Sequence, residues 1–254
     1  MRLHTLIISL FFCSLFTVAQ TENTDNNAKY VNSISRDRVL VELNYTGWDT
    51  DFEFTNTIIT DTDTIITQSD FKQKWYNRGL NLYFTWDIPL GDKKSSNFAF
   101  APGLGVSMHN VYSNARPISY ANESVSFSSI ENVSSRNNKL ATTHIEVPLE
   151  FRFRSNPDKF GRSWKAAVGL RLGILTVKNA KFKGTLTDIN GNPISVKEKT
   201  LDIKGMSRYR VGPSLRLGYG NISVVGYMSL IDLFENNKGP KITPFSIGIT
   251  FNSY

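Results

Sequence analysis

The chain has 254 residues, 40% of them apolar and 20% charged, with a formal net charge of +7. That balance excludes wholesale disorder. No stretch approaches the roughly 18 consecutive apolar residues of a membrane-spanning helix, which excludes a helical bundle in a bilayer.

Residues 1–19 read as a secretory signal peptide. Arg2 supplies the positive start, Leu6 to Val18 a short apolar stretch, and Thr17-Val18-Ala19 small residues before a cleavage point at Gln20. A lipoprotein signal on Cys13 is disfavoured by the bulky Leu10-Phe11-Phe12 before it. Cleavage removes Cys13, the single cysteine. The exported chain then has no disulfide, thiolate metal site or cysteine nucleophile. Residues 20–37 are polar, rich in Asn and Thr, and read as a disordered periplasmic tail.

From residue 38 to 254 the dominant period is two, the period of strands. Val39, Val41, Leu43 and Tyr45 alternate with Leu40, Glu42, Asn44 and Thr46 in a first strand. Leu80, Leu82, Phe84, Trp86 and Ile88 form the apolar face of a second, opposite Asn81, Tyr83, Thr85 and Asp87. A third runs from Phe98 to Met108, with Gly, Ala and Ser on its other face. The fourth sets Thr143, Ile145, Val147, Leu149, Phe151 and Phe153 against His144, Glu146, Pro148, Glu150, Arg152 and Arg154. A fifth runs from Trp164 to Ile174 and a sixth from Arg208 to Tyr219. The seventh, Ile222 to Phe234, is apolar on both faces. The eighth carries Phe245, Ile247, Ile249 and Phe251.

Eight strands joined by alternating long and short connections fit an antiparallel, transmembrane up-and-down β-barrel with long extracellular loops and short periplasmic turns. Gly220-Asn221 suits a two-residue hairpin. Two long loops promise hairpins of their own. The palindrome Thr57 to Thr67 folds about Asp61-Thr62-Asp63, with a one-residue bulge expected between it and the barrel. Asn190-Gly191 marks the second.

Alternation does not say which face is outside. A soluble, lipocalin-like ligand-binding barrel turns the apolar face inward, whereas a membrane barrel turns it toward lipid. Lipid is favoured for three reasons. The opposite face is crowded with small and charged residues. An even strand count closes the sheet without an edge. Finally, Trp86, Phe98, Phe153, Trp164, Tyr219 and Phe251 all fall beside short turns or the C-terminus, where an aromatic membrane-interface girdle belongs. The reading is an outer-membrane protein, with outer-membrane lipid around it.

Here the residues resemble a known family, the PorT-like outer-membrane β-barrels of Gram-negative bacteria. The resemblance lies in His144-Ile145-Glu146-Val147-Pro148-Leu149-Glu150-Phe151-Arg152-Phe153 and in Gly212-Pro213-Ser214-Leu215-Arg216-Leu217-Gly218-Tyr219. It continues in the closing segment, with Leu233-Phe234, Gly239-Pro240 and Pro244 to Phe251. It implies a barrel over residues 38–254. One branch of the family belongs to a protein secretion apparatus, and many members have no assigned activity.

The expected lumen holds a structural charge network: Glu42, Glu146 and Glu150 against Arg152, Arg171, Arg208, Arg210 and Arg216. Eight strands leave an interior just wide enough to be filled, so a salt-bridged plug is expected rather than a pore. Glu150 should pair with Arg171 or Arg152. His109 and His144 fall on the polar face of adjacent strands near the outer rim, with Glu146 two residues on. They are a candidate metal or acid–base pair at the barrel mouth, weighed against two satisfied lumen side chains. The acidic first loop, with Asp49, Asp51, Asp61, Asp63 and Asp70, lacks the glycine and distal glutamate of a calcium loop. No metal or cofactor is expected. No basic patch interleaved with aromatics suggests nucleic acid. The expected role is non-enzymatic, structural or interacting, with an unknown protein partner met through the extracellular loops. The alternatives are a barrel enzyme with its active site at the rim and the soluble ligand-binding barrel.

Overall fold

A computed structural model of the chain describes residues 38–50, 53–59, 64–91, 96–120, 123–130, 134–187, 193–201 and 203–253. Residues 1–37, where a signal peptide and a disordered tail are expected, lie outside the described residues. In chain order the strands are β1 (Val39–Asp49), β2 (Glu53–Ile59), β3 (Thr64–Asp70), β4 (Arg78–Thr85), β5 (Ile88–Pro89), β6 (Phe98–Tyr112) and β7 (Ala115–Ser119). They continue with β8 (Val125–Ser129), β9 (Ser134–Arg154), β10 (Trp164–Thr187), β11 (Pro193–Thr200), β12 (Tyr209–Tyr219), β13 (Ile222–Met228) and β14 (Thr243–Ser253).

Eight of these strands close a barrel. β1 pairs with β4, β4 with β6, β6 with β9, β9 with β10, β10 with β12, β12 with β13 and β13 with β14, which returns to β1. Every pairing is antiparallel, and no backbone edge remains within the ring, as hydrocarbon demands. The strand period explains the walls. Leu43, Leu82, Val106, Ile145, Val168, Leu215, Val224 and Ile249 are exposed on the outside. Glu42, Asn81, Ser107 and Thr250 at neighbouring positions are buried inside. The soluble-barrel alternative requires the reverse.

The barrel is narrow enough to need small residues within. A Cβ on Gly105 would lie 2.4 Å from Tyr83 Cδ1 and 2.2 Å from the Leu82 carbonyl oxygen. Bare backbone on β6 is what lets the Tyr83 ring lie flat inside the wall. At the short-turn end, Gly220 takes a positive φ of 61° between the paired Tyr219 and Ile222. This is the two-residue hairpin expected at Gly220-Asn221.

Several boundaries differ from the sequence reading. The second strand stops at Thr85, and Ile88–Pro89 re-pairs with β6 as a separate short strand. The fourth and fifth extend well beyond the apolar band, to 21 and 24 residues. The seventh ends at Met228, not Phe234, because Leu233 and Phe234 leave the wall and turn inward.

The palindromic loop does form a hairpin, β2 with β3, but without the expected bulge. Ile58 pairs with Ile65, one step off the palindrome's own symmetry, and Val39 with Phe84. Both pairs centre between residues 61 and 62. The hairpin therefore keeps the register of the β1–β4 pairing, with no net one-residue shift between the two. The turn residues 60–63 lie outside the described residues. β11 folds back on β10, with Leu186 opposite Ile194, as the Asn190-Gly191 signal implied; that tip too lies outside the described residues.

The long-loop mouth is closed by a feature absent from the strand reading. Hairpin β7–β8, the stretch around Ile203 and Met206, and the connection from β13 to β14 pack into one apolar cap. Trp48 stacks on Phe71 at 5.7 Å, and Phe127 meets Trp48, Phe71 and Phe234 edge-on at 6.4, 5.8 and 6.0 Å. Val111, Val125, Leu140, Leu233 and Ile242 complete it.

Candidate functional site: a charge-filled lumen and its histidine pair

The interior below the cap is stacked in layers, each held by side chains from several strands. At the short-turn end, Asp87 receives Arg152 at 2.5 Å and Arg154 at 2.6 Å. Glu150 receives Arg152 Nε at 2.8 Å and Arg216 Nη2 at 2.6 Å, and Arg216 also donates to Asn252. Glu150 therefore takes Arg152, one of the two partners expected, together with Arg216 in place of Arg171. The alternation places all these charges on one face. Their partnership follows from the register, which sets Glu150 beside Gly169 and Arg152 beside Ala167.

In the middle layer Arg171 grips Glu42 with both nitrogens, at 2.8 and 2.9 Å. Asn81 Nδ2 donates to the same carboxylate at 2.9 Å. Arg171 also donates to the Tyr83 hydroxyl at 3.1 Å, and Tyr83 donates on to Glu146 at 2.6 Å. The guanidinium lies 5.1 Å from the centre of the Tyr83 ring and 5.6 Å from that of Tyr227. A fork of two parallel hydrogen bonds is the strongest geometry available to such a pair, and the aromatic faces add to it.

The upper layer contains the histidine pair. Arg210 lies over Tyr227 at 4.2 Å and donates Nε–H to its hydroxyl at 3.0 Å. Its Nη1 is 2.6 Å from His109 Nε2 and 3.5 Å from Glu146. Because a guanidinium only donates, His109 Nε2 must accept. This puts the imidazole proton on Nδ1, facing Thr46 Oγ1 at 3.1 Å. The His109 and His144 rings are 6.2 Å apart, and among the described residues the buried His144 Nδ1 has no hydrogen-bond partner.

The histidines are not at an open rim. They are 5% and 6% exposed and lie beneath the apolar cap, beside a cavity of about 30 Å³ whose wall includes Trp48, Leu140 and Leu233. Such a volume holds about two waters, far short of a substrate. Arg208 is exposed and stands outside the buried network, whereas Arg210, two residues on, is inside. Sequence reasoning also left Tyr83 and Tyr227 out of the network. Alternation had placed Tyr83 on the lumen face, but its hydroxyl bridge to Glu146 needed the barrel closed.

His109, His144 and Glu146 do each offer a ligand atom, all within 4.8 Å of one another. The guanidinium of Arg210 nevertheless contacts two of the three groups. A fixed positive charge there supplies locally what a bound cation would. The donor set therefore forms a closed ionic cluster rather than an open coordination site.

The aromatics expected in the girdle are exposed at the short-turn end. Phe98 faces Phe153 and Trp164 faces Tyr219 as directly paired residues, each with rings 5.2 Å apart. Trp86 and Phe251 are likewise exposed on the outer face. Just below, in the turn from β9 to β10, Tyr219 donates its hydroxyl proton to Asp158. That bond and the Arg162 and Phe160 amides hold the Asp158 carboxyl below its ordinary pKa.

A closed eight-stranded antiparallel barrel, apolar outside and ionic within, defines an outer-membrane β-barrel protein. A family model described as outer membrane protein beta-barrel domain matches residues 19–235, and the chain belongs to that family. A search of curated proteins gives no match. Among solved structures the chain is similar to Ail, the attachment invasion locus protein of Yersinia pestis, solved in complex with the heparin analogue sucrose octasulfate. The identity is 11%, over 85% of this chain and 97% of that chain, with a TM-score of 0.31.

Proposed function

We propose that the protein is a non-enzymatic outer-membrane scaffold whose extracellular hairpins engage a protein partner. The observation that carries this reading is the filled interior. Ion pairs occupy the lumen from Asp87 to Arg210, and an apolar cap closes the outer mouth. A lumen so packed gives neither a conduit nor a substrate cavity. What remains for function is the surface raised above the membrane by β2–β3 and by the long β9–β10–β11 sheet. Binding surfaces are commonly carried this way, on loops held by a rigid frame. The narrower role, a component of a protein secretion apparatus of the PorT-like kind, draws its support from the His144–Phe153 and Gly212–Tyr219 strand motifs.

The rival reading, an enzyme using His109, His144 and Glu146, has their proximity in its favour and the Arg210 contact against it. One experiment separates the two. Cells carrying the chain with β2–β3 and the β10–β11 tip shortened to tight turns are compared with cells carrying His109→Ala plus His144→Ala. The scaffold reading expects the shortened loops to reproduce the defect of a gene deletion and the histidine substitutions to leave function intact. Loss of function in the histidine variant, with normal barrel assembly, overturns it in favour of the enzyme.

A further inference from the structure

Above the membrane the outward face of β10 changes parity. Even-numbered residues face lipid up to Ile174, and a register shift between Leu175 and Val177 then turns odd-numbered residues outward. The shift sends Ala180 and Phe182 into the buried interior and Lys181 and Lys183 to the surface. β11 adds a second pair in register: Lys199 directly opposite Lys181, and Lys197 directly opposite Lys183. All four lysines are exposed. Lys139 of β9, opposite Lys181 on its other side, extends the lower row, the one nearer the membrane.

Like charges directly opposite on a sheet destabilise it, and here two such pairs are stacked. Among the described residues no carboxylate relieves them on that face. The other outward positions near them are Asn137, Ala141, Asn179, Thr185 and Ser195. Glu198, the one acid of β11, points to the opposite face, where it pairs with Arg116 at 3.1 Å. Lysines on the edge strand β11 would by themselves be ordinary protection against edge-to-edge pairing. Lys181 and Lys183 are on an inner strand and have no edge to protect.

The position of the block selects the ligand. It continues the lipid-facing wall without a change of face. Lys181 is four residues beyond Val177, about 13 Å along the strand, or roughly 10 Å higher once strand tilt is included. Long lysine stems reach down from that height to the polar zone above the hydrocarbon. We propose that Lys181, Lys183, Lys197 and Lys199 form a binding site for the phosphate groups of outer-leaflet lipid, clamping this side of the barrel to its annular headgroups. The proposal rests on the outer-membrane placement, not on the partner-binding role.

The full-length refolded barrel, in a zwitterionic detergent, is titrated with micelles carrying diphosphorylated lipid A, with the same lipid dephosphorylated, and with soluble dextran sulfate. The site expects preference for the phosphorylated lipid, weakened by added salt. Lys181→Gln with Lys183→Gln should lower that affinity about 30-fold, at roughly fivefold per lysine near a charged surface. Lys159→Gln, at the short-turn end, should leave it unchanged. Retention of the heat-dependent electrophoretic shift certifies folding. If the β10 variant loses it, Lys197→Gln with Lys199→Gln, outside the closed ring, carries the same test. Equal binding of the two lipids, or wild-type affinity in the folded lysine variants, overturns the proposal. A lysine-dependent preference for the dextran sulfate over the lipid overturns it as well.

Discussion

Single residues inside this barrel matter through their partners. Arg171 and Glu42 are 3% and 0% exposed and bind each other through two hydrogen bonds. Removing one of them strands a charge where water does not reach. Arg171→Met is expected to cost about 3–5 kcal/mol. The double replacement Glu42→Leu with Arg171→Leu should recover most of it, as denaturant unfolding of the refolded barrel would read. Additive losses would contradict the pairing. Gly105→Ala forces its methyl against the Tyr83 ring and the Leu82 carbonyl, at an expected cost of about 1–3 kcal/mol. Asp158 gives a pH signature outside the membrane. Its folded pKa is depressed, so its hold on the turn is complete above the ordinary carboxylate range and is lost as pH falls through the depressed value. Protection of the Phe160 and Arg162 amides, taken relative to their intrinsic exchange rate at each pH, should fall over that acidic window and stay constant above it. At this scale the sequence was legible as to face but not as to partner. Alternation put Glu42, Arg171 and Tyr83 on the inner wall. That Arg171 chooses Glu42 over Glu150 depends on registers across four strand pairings, which residue spacing does not encode.

Whole elements divide into wall and cap. The wall was legible because its two solvents differ, lipid outside and ionic interior inside, so period two runs cleanly through Val39–Tyr45, Ile145–Phe153 and Phe245–Phe251. The cap was not. Hairpin β7–β8 and the connection after Met228 bury residues singly and from several directions, so their apolar positions have no period. The both-faced apolar run Ile222–Phe234 was the visible trace of this: its first half faces lipid and its second half enters the cap. The cap should unfold independently of the wall. Phe127→Ala removes the ring that meets Trp48, Phe71 and Phe234, a loss of about 3–5 kcal/mol from the local packing. The variant should gain protease cleavage in residues 113–133 while keeping a heat-shifted band, since local opening need not open the ring. Loss of both together would mean that cap and wall fold as one unit.

For the molecule as a whole, architecture followed from pattern while function lay outside it. Eight alternating strands with unequal connections led to an outer-membrane barrel, and the closed ring, its exposed apolar wall and the family match agree on that. The loops, where partner recognition is expected, carry no repeating physical constraint and so left no readable pattern beyond their hairpins. The lumen is filled from the Asp87 ion pairs to the Phe127 cap, with no continuous passage among the described residues. Single-channel recording of the purified, refolded protein in a planar bilayer tests it directly. The filled lumen predicts a silent membrane, with no steady conductance above the bare bilayer at moderate voltage. Stable, ohmic steps from the wild-type protein would contradict it and mean that the arginines lining the wall face a water-filled passage.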